Sequence, residues 1–298
     1  MSILLTGASG LIGIDLAYRL SHNYKVFGVY RTKKKLKKIK NVIWIKHDFR
    51  KKFNKKLRPT PKYIVHCAVD QKYSKQNMYK YLECNLKIFD NIINFSLKNN
   101  VKLFVNFSSI DVYGNINNKL VNENYKPKNQ NPYGLIKDLS EKKLYGTKIN
   151  FINIRLPGVL CEPSLNSNKR PWLNEIFAKM QKNKVIYVHN INGKFNNLIN
   201  TDEIAKFLKF LIKKNIIIRD TFNFACTKPI ILQKLLNIAK QKLYSKSKIY
   251  NFKSSKRNSF YISTSKIEKK LNYKIECSKK ILDKHLENFI KLKKSHGS

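Results

Sequence analysis

Short apolar runs alternate with stretches of helical period along the first half of the chain. Ile3–Leu5 is a continuous apolar run, and Ile14, Leu16, Ala17 and Leu20 then recur at helical spacing. Lys25–Arg31, Val42–Ile45, Tyr63–Ala68, Val101–Ser108 and Asn150–Leu156 each read as strands, bounded by turn-forming or basic residues. Between the fourth and fifth strands, Ser74–Asn99 predicts a helix with Leu82, Leu86, Phe89, Ile93 and Leu97 on one face. A further helix is predicted from Tyr133 to about Leu144. Alternation of strand and helix over residues 1–156 predicts an α/β fold with a doubly wound parallel sheet. Residues 157–298 are more mixed. Helices are predicted over Pro171–Lys182, Thr201–Lys214, Ile230–Leu243, Ser265–Leu271 and Lys279–Leu292, and Thr221–Ala225 is expected to return a strand to the sheet. They predict a smaller carboxy-terminal lobe.

Composition narrows the class. A chain of 298 residues with 42% apolar and 12% aromatic content can bury a large core, which excludes a disordered protein. No apolar stretch reaches the roughly 18–20 residues of a membrane span, and Met1–Leu5 has no basic start of a secretory signal, so a cytoplasmic location is expected. The five cysteines (Cys67, Cys84, Cys161, Cys226, Cys277) are scattered, and the six histidines show no ligand spacing. Reduced thiols and no metal are expected. The net charge of +43 points to an anionic partner. Lysine is abundant everywhere, however, without interleaved aromatics that would stack bases. An anionic small molecule is therefore expected rather than nucleic acid.

Three groups of residues carry candidate chemistry. Gly7, Gly10 and Gly13 follow the first strand and open the first helix, an arrangement that aims a helix N-terminus at a phosphate. No acidic residue lies between Asp15 and Asp48. A site selecting NAD offers a carboxylate at the end of the second strand to the ribose 2′-hydroxyl. Tyr30 and Arg31 stand there, followed by Lys33, Lys34 and Lys35, so NADP is expected, with NAD as the alternative. Asp48 ends the third strand, where it can accept from an adenine amino group or cap the following turn. Tyr133 and Lys137 are four apart on a helix and share a face. A phenol of pKa about 10 works as an acid–base group at neutral pH only when a cation stabilises its phenolate. Lys137 supplies that cation, and Ser109 at the end of the fifth strand is placed to bond the same substrate oxygen.

These motifs together resemble the extended short-chain dehydrogenase/reductases, the NAD(P)-dependent epimerase/dehydratase family, over nearly the whole chain. Thr6-Gly7-Ala8-Ser9-Gly10-Leu11-Ile12-Gly13 matches the family's TGxxGxxG opening. Asp48-Phe49-Arg50 resembles the adenine-contacting segment, Ile64–Ala68 the VIHLAA strand, Ser108–Gly114 the SSxxVYG signature, and Asn85 the helix asparagine. The resemblance implies a Rossmann domain over 1–156 and a substrate-binding lobe over 157–298. It implies cofactor contacts from Ser9, Gly10, Leu11, Ile12, Arg31, Asp48, Phe49, Cys67, Ala68, Asn85, Tyr133, Lys137 and Leu156, and catalysis by Ser109, Tyr133 and Lys137.

Departures bear on the substrate. Ser109-Ile110-Asp111 replaces the Thr-Asp-Glu of sugar dehydratases, and Pro157-Gly158 stands where many epimerases have Phe-Asn. The diphosphate-gripping arginine corresponds to Phe195, leaving Lys194 and Arg257 as candidate substrate cations. The expected activity is reduction at C4 of a nucleotide sugar, with a 4-epimerase that retains NAD as the alternative. A dinucleotide-sensing or nucleic-acid-associated binding protein is the non-enzymatic alternative. The resemblance also implies a homodimer.

Overall fold

A computed structural model describes residues 1–32, 36–72, 76–161, 172–252 and 260–295. In chain order the elements begin β1 (Ser2–Thr6), α1 (Leu11–Ser21), β2 (Lys25–Tyr30), β3 (Val42–Lys46), β4 (Tyr63–His66), α2 (Met78–Lys98) and β5 (Leu103–Ser109). A 3-10 turn over Ile110–Tyr113 leads to β6 (Leu120–Val121), α3 (Pro132–Tyr145), β7 (Phe151–Leu156), β8 (Gly158–Leu160), α4 (Trp172–Gln181) and β9 (Ile186–His189). The chain continues through β10 (Lys194–Phe195), β11 (Leu198–Asn200), α5 (Thr201–Lys213), β12 (Arg219–Asn223), β13 (Ile230–Ile231) and α6 (Leu232–Lys242). It closes with β14 (Ile249–Phe252), β15 (Tyr261–Ile262), α7 (Ser265–Leu271) and α8 (Ser278–Ser295).

Two compact units result. The first holds Met1–Asn115, Lys126–Leu156 and Ala205–Phe222. Its seven-stranded sheet runs β12-β7-β5-β4-β1-β2-β3, and β1, β2, β3, β4, β5 and β7 pair in parallel. β1 and β5 are buried along their whole length, as strands covered on both faces must be. β3 is one of the two edge strands and alternates exposed and covered positions. The strand order reverses between β1 and β4, which leaves a crevice at their carboxyl ends. The expected doubly wound fold is what the chain adopts. The stripe expected on α2 is shifted: Tyr81, Asn85, Ile88, Phe89, Ile92, Ile93, Phe95 and Ser96 are buried, while Leu97 is exposed and Leu82 and Leu86 are half-buried. The aromatics Phe89 and Phe95 join Phe49, Phe53 and Phe104 in one core cluster, which sets the helix rotation.

The second unit holds Ile116–Tyr125, Pro157–Ile204 and Asn223–Ser298. Its small sheets β8/β11, β9/β14, β10/β13 and β6/β15 are too short for a periodic sequence signal. Its core packs Phe177, Met180, Leu235, Leu236 and Leu286. Buried amides tie its loops: Asn196 donates to the carbonyls of Cys226 and Ile262, both at 2.8 Å, and accepts from the Ile262 N–H at 2.8 Å.

Candidate active site

The glycine turn after β1 is forced by space. Gly7 has φ +65°, and a Cβ there would stand 2.8 Å from the Ala68 nitrogen. A Cβ on Gly13 would stand 2.2 Å from the Gly7 carbonyl, so α1 could not close onto the strand with any larger residue. The Gly10 N–H donates to the Gly7 carbonyl at 2.9 Å and starts α1, with no side-chain cap and no acidic residue in the first turn. A helix start built this way favours an anion. The Thr6 hydroxyl pairs with His66 Nδ1 at 2.8 Å and accepts from the Cys67 N–H at 3.2 Å, pinning the ends of β1 and β4 together. Burial, and the Lys137 charge after it, hold His66 well below its ordinary pKa, so it is neutral at pH 7. Together these residues fit the pyrophosphate of a dinucleotide.

At the end of β2 the structure adds a residue that sequence reasoning missed. Arg31 makes a two-pronged pair with Asp70, its Nη2 donating to Oδ1 at 3.2 Å and its Nη1 to Oδ2. Asp70 lies 39 residues away, in the loop after β4, and no local pattern marks it. Asp48 is paired with Arg50, whose Nε donates to both carboxylate oxygens at 3.0 Å, and it also caps its own turn through the Arg50 N–H at 3.0 Å. The ring of Phe49 is 5% exposed and lies in the core, which leaves only its main chain for an adenine. Asn85 spends its side chain on the Asp70 loop, accepting from the Asp70 N–H at 2.8 Å and donating to the Asp70 carbonyl at 3.0 Å. Ser9, Leu11 and Ile12 surround the start of α1. Cys67 and Ala68 follow β4, and buried Leu156 ends β7.

The fifth strand and α3 bring the acid–base groups together. α3 starts sharply because Asn131 caps it, accepting from the Gly134 N–H at 2.7 Å, and Pro132 occupies its first turn. A Cβ on Gly134 would lie 2.1 Å from the Asp111 carbonyl, so only glycine lets the helix start press against the turn after β5. That contact sets Tyr133 beside Ser109. Burial pushes the Tyr133 phenol above its usual pKa and the Asp111 charge adds to this, while a hydrogen bond with Ser109 pulls the other way. One turn on, Lys137 is 4% exposed, with Nζ 5.6 Å from the Tyr133 ring centroid and donating to the Phe107 carbonyl at 2.6 Å. Burial pushes its ammonium down to about 8. The Ser109 hydroxyl donates to Asp111 Oδ2 at 2.9 Å, which makes Asp111 a second residue the motif reading did not assign.

Behind this row lies an ion pair. Arg155 on β7 donates to Glu141 on α3 at 2.7 and 3.0 Å and to the Tyr113 hydroxyl at 3.0 Å, and Ser108 donates to the same Glu141 carboxylate. Lys194, expected at the substrate, is exposed on β10 in the second unit, and Arg257 lies outside the described residues. Among the described residues no group of side chains is arranged to hold a metal, and no helix is long and apolar enough to cross a membrane.

This constellation, a glycine-turn cradle beside a serine–tyrosine–lysine row on a doubly wound sheet, defines a dinucleotide-dependent enzyme class. The model of the NAD dependent epimerase/dehydratase family matches residues 3–224, and the chain belongs to that family. No curated protein sequence matches it. Among solved structures it is similar to the UDP-glucose 4-epimerase of Thermotoga maritima, crystallised with UDP-glucose. The TM-score is 0.79 at 18% identity, covering 98% of this chain and 99% of that one. It is similar as well to a UDP-N-acetylglucosamine 4-epimerase from Methanobrevibacter ruminantium, with TM-score 0.80, 18% identity and 98% of each chain covered. A third is the Bordetella bronchiseptica enzyme WbmG in complex with NAD and UDP, with TM-score 0.79 at 14% identity, covering 97% of this chain and 95% of that one.

Proposed function

We propose that the chain is a nicotinamide-dinucleotide-dependent oxidoreductase acting at C4 of a nucleotide sugar, with 4-epimerisation as its net reaction. The observation that carries the reading is the row of buried Ser109, half-buried Tyr133 and buried Lys137 at the end of β5, reached from the glycine cradle along the same sheet edge. The dinucleotide, when bound, supplies the hydride donor and acceptor. Tyr133 holds the proton of the sugar oxygen, giving it up or taking it back at its phenol oxygen. Lys137, one turn behind, stabilises the phenolate, and its own bond to the Phe107 carbonyl fixes its position. Ser109 bonds the same sugar oxygen and keeps it in line with Tyr133.

Two observations weigh on the substrate and on the net reaction. Two of the similar structures act on UDP-sugars by name, which supports a nucleotide-linked sugar here. The 4-ketoreductase expectation rested on Arg31 binding a 2′-phosphate, and Arg31 is engaged with Asp70, so the epimerase reading takes precedence. Half-buried Leu82 and Leu86 and exposed Leu97 on α2 support a homodimer, checked by light scattering, and the free cysteines suit a cytoplasmic setting.

The test is direct. The purified chain is incubated with UDP-glucose or UDP-N-acetylglucosamine without added dinucleotide, and C4 epimers are resolved by chromatography. We expect interconversion that falls by about 10²–10⁴-fold in Tyr133→Phe with dinucleotide binding kept. Consumption of a 4-keto sugar only when reduced dinucleotide is supplied would restore the ketoreductase reading. Turnover unchanged in Tyr133→Phe would remove the catalytic assignment.

A further inference from the structure

Between Asp15 and Asp48 the sequence offers no carboxylate, yet the fold brings one to the end of β2. Asp70 comes from beyond β4, its side chain is 2% exposed, and it faces Arg31, whose side chain is 42% exposed. Its position is fixed from three directions. Asn85 holds the main chain of the Asp70 loop on both its N–H and its carbonyl. The Lys72 N–H donates to Oδ1 at 3.1 Å, and Arg50 Nη1 stands 3.8 Å from Oδ2. Burial works to raise the Asp70 pKa, but the Arg31 hydrogen bonds, the Lys72 amide and the two guanidinium charges outweigh it. The group is a carboxylate at neutral pH.

A carboxylate here has two consequences for a ribose at the end of β2. At 2% exposed it acts by charge and not by contact: it favours an unphosphorylated ribose and repels a 2′-phosphate. It also neutralises the guanidinium that would attract that phosphate. Arg31, Arg50, Asp48 and Asp70 carry formal charges that cancel, whereas replacing Asp70 by a neutral group leaves one positive charge over. We infer that Asp70 is a specificity-determining residue for the adenosine ribose, acting through Arg31 to offset a 2′-phosphate preference and admit the unphosphorylated dinucleotide. The inference rests on the dinucleotide-dependent reading above and extends it to a residue outside the glycine turn and the second strand.

The experiment is a competition. The full chain is equilibrated with equimolar NADH and NADPH, and the bound fraction is read by native mass spectrometry, for wild type, Asp70→Asn and Arg31→Met. The Asp70→Asn change leaves the main-chain bonds to Asn85 in place, so the loop is expected to survive it. The bound NADPH:NADH ratio is expected to rise by about tenfold or more in Asp70→Asn and to fall in Arg31→Met. If Asp70→Asn does not fold, the fall in Arg31→Met with NADH still bound carries the test. A ratio within about twofold of wild type in the folded variants overturns the inference while leaving the dinucleotide reading intact. A wild-type chain that binds neither dinucleotide overturns that reading, and this inference with it.

Discussion

Two of the arginine–carboxylate pairs in the first unit look alike on paper and differ in surroundings. Behind the row of Ser109, Tyr133 and Lys137, Arg155 and Glu141 have side-chain exposures of 11% and 4%. At the end of β3, Arg50 and Asp48 have exposures of 36% and 23%. The buried pair is shared with Tyr113 and Ser108, so it ties β7, α3 and the turn after β5 into one piece. The exposed pair ties a residue to its neighbour two along the chain. The difference separates two design needs. On the proposed function, acid–base groups whose pKa values depend on burial need a scaffold that does not move, whereas the Arg50–Asp48 pair stays open to water.

The largest effect expected from breaking this contrast is at Glu141. Glu141→Ala leaves Arg155 as a buried charge with its main partner gone, and removing one member of such a pair costs about 3–5 kcal/mol. The unfolding midpoint in denaturant is the measurement. The double variant Glu141→Leu with Arg155→Met should recover much of that loss, because no charge is then left buried. If Glu141→Ala costs under about 1 kcal/mol, the pair is not the scaffold described here.

How much of this was open to the sequence follows from distance along the chain. Ser109, Tyr133 and Lys137 lie within 30 residues and sit on elements whose periodicity is clear, so their meeting was legible. Gly7 and Gly13 were legible for the same reason. Asp70 was not, because its partner Arg31 is on a different strand and the two meet only once β1 has been laid between β2 and β4. For Phe49 only the main chain was legible: a motif places it, whereas the neighbouring rings of Phe53 and His47 decide where the side chain goes. The rotation of α2 was legible only in part: Phe89 and Ile93 are buried as expected, but Ile88, Ile92 and Phe95 share that face and leave Leu82 and Leu86 at its margin. The two-residue strands of the second unit carry no period at all.

A smaller effect sharpens the contrast through pH. Lys137 titrates near pH 8 in the fold against an ordinary 10.5. Between those values the unfolded chain holds a proton that the folded chain has released. Stability from this group therefore rises as pH rises through that window, by up to about 1.4 kcal/mol per pH unit. Below pH 8 both states are protonated and the slope vanishes. Denaturant unfolding between pH 7.5 and 10.5 should show this rise in wild type and lose it in Lys137→Met. An identical slope in both proteins would mean that the lysine is hydrated in solution and does not sit in the dry position shown by its bond to Phe107.

The smallest effect belongs to the exposed pair, and its smallness is the point. Arg50 and Asp48 share hydrogen bonds at 3.0 Å, geometry as good as that of the buried pair. Geometry alone would therefore predict equal contributions. Solvent screening predicts otherwise: water competes for both groups, and holding a long side chain in place costs rotamer entropy, so a double-mutant cycle on Arg50→Gln and Asp48→Asn should return a coupling of about 0.2–1 kcal/mol. That coupling should shrink further as salt rises past about 0.5 M, while the cost of Glu141→Ala should not change. A coupling above about 2 kcal/mol would show that the end of β3 is as rigid as the row of Ser109, Tyr133 and Lys137. The adenosine end would then be a fixed template, and its choice between a 2′-hydroxyl and a 2′-phosphate would come from shape and not from the balance of charge between Arg31 and Asp70.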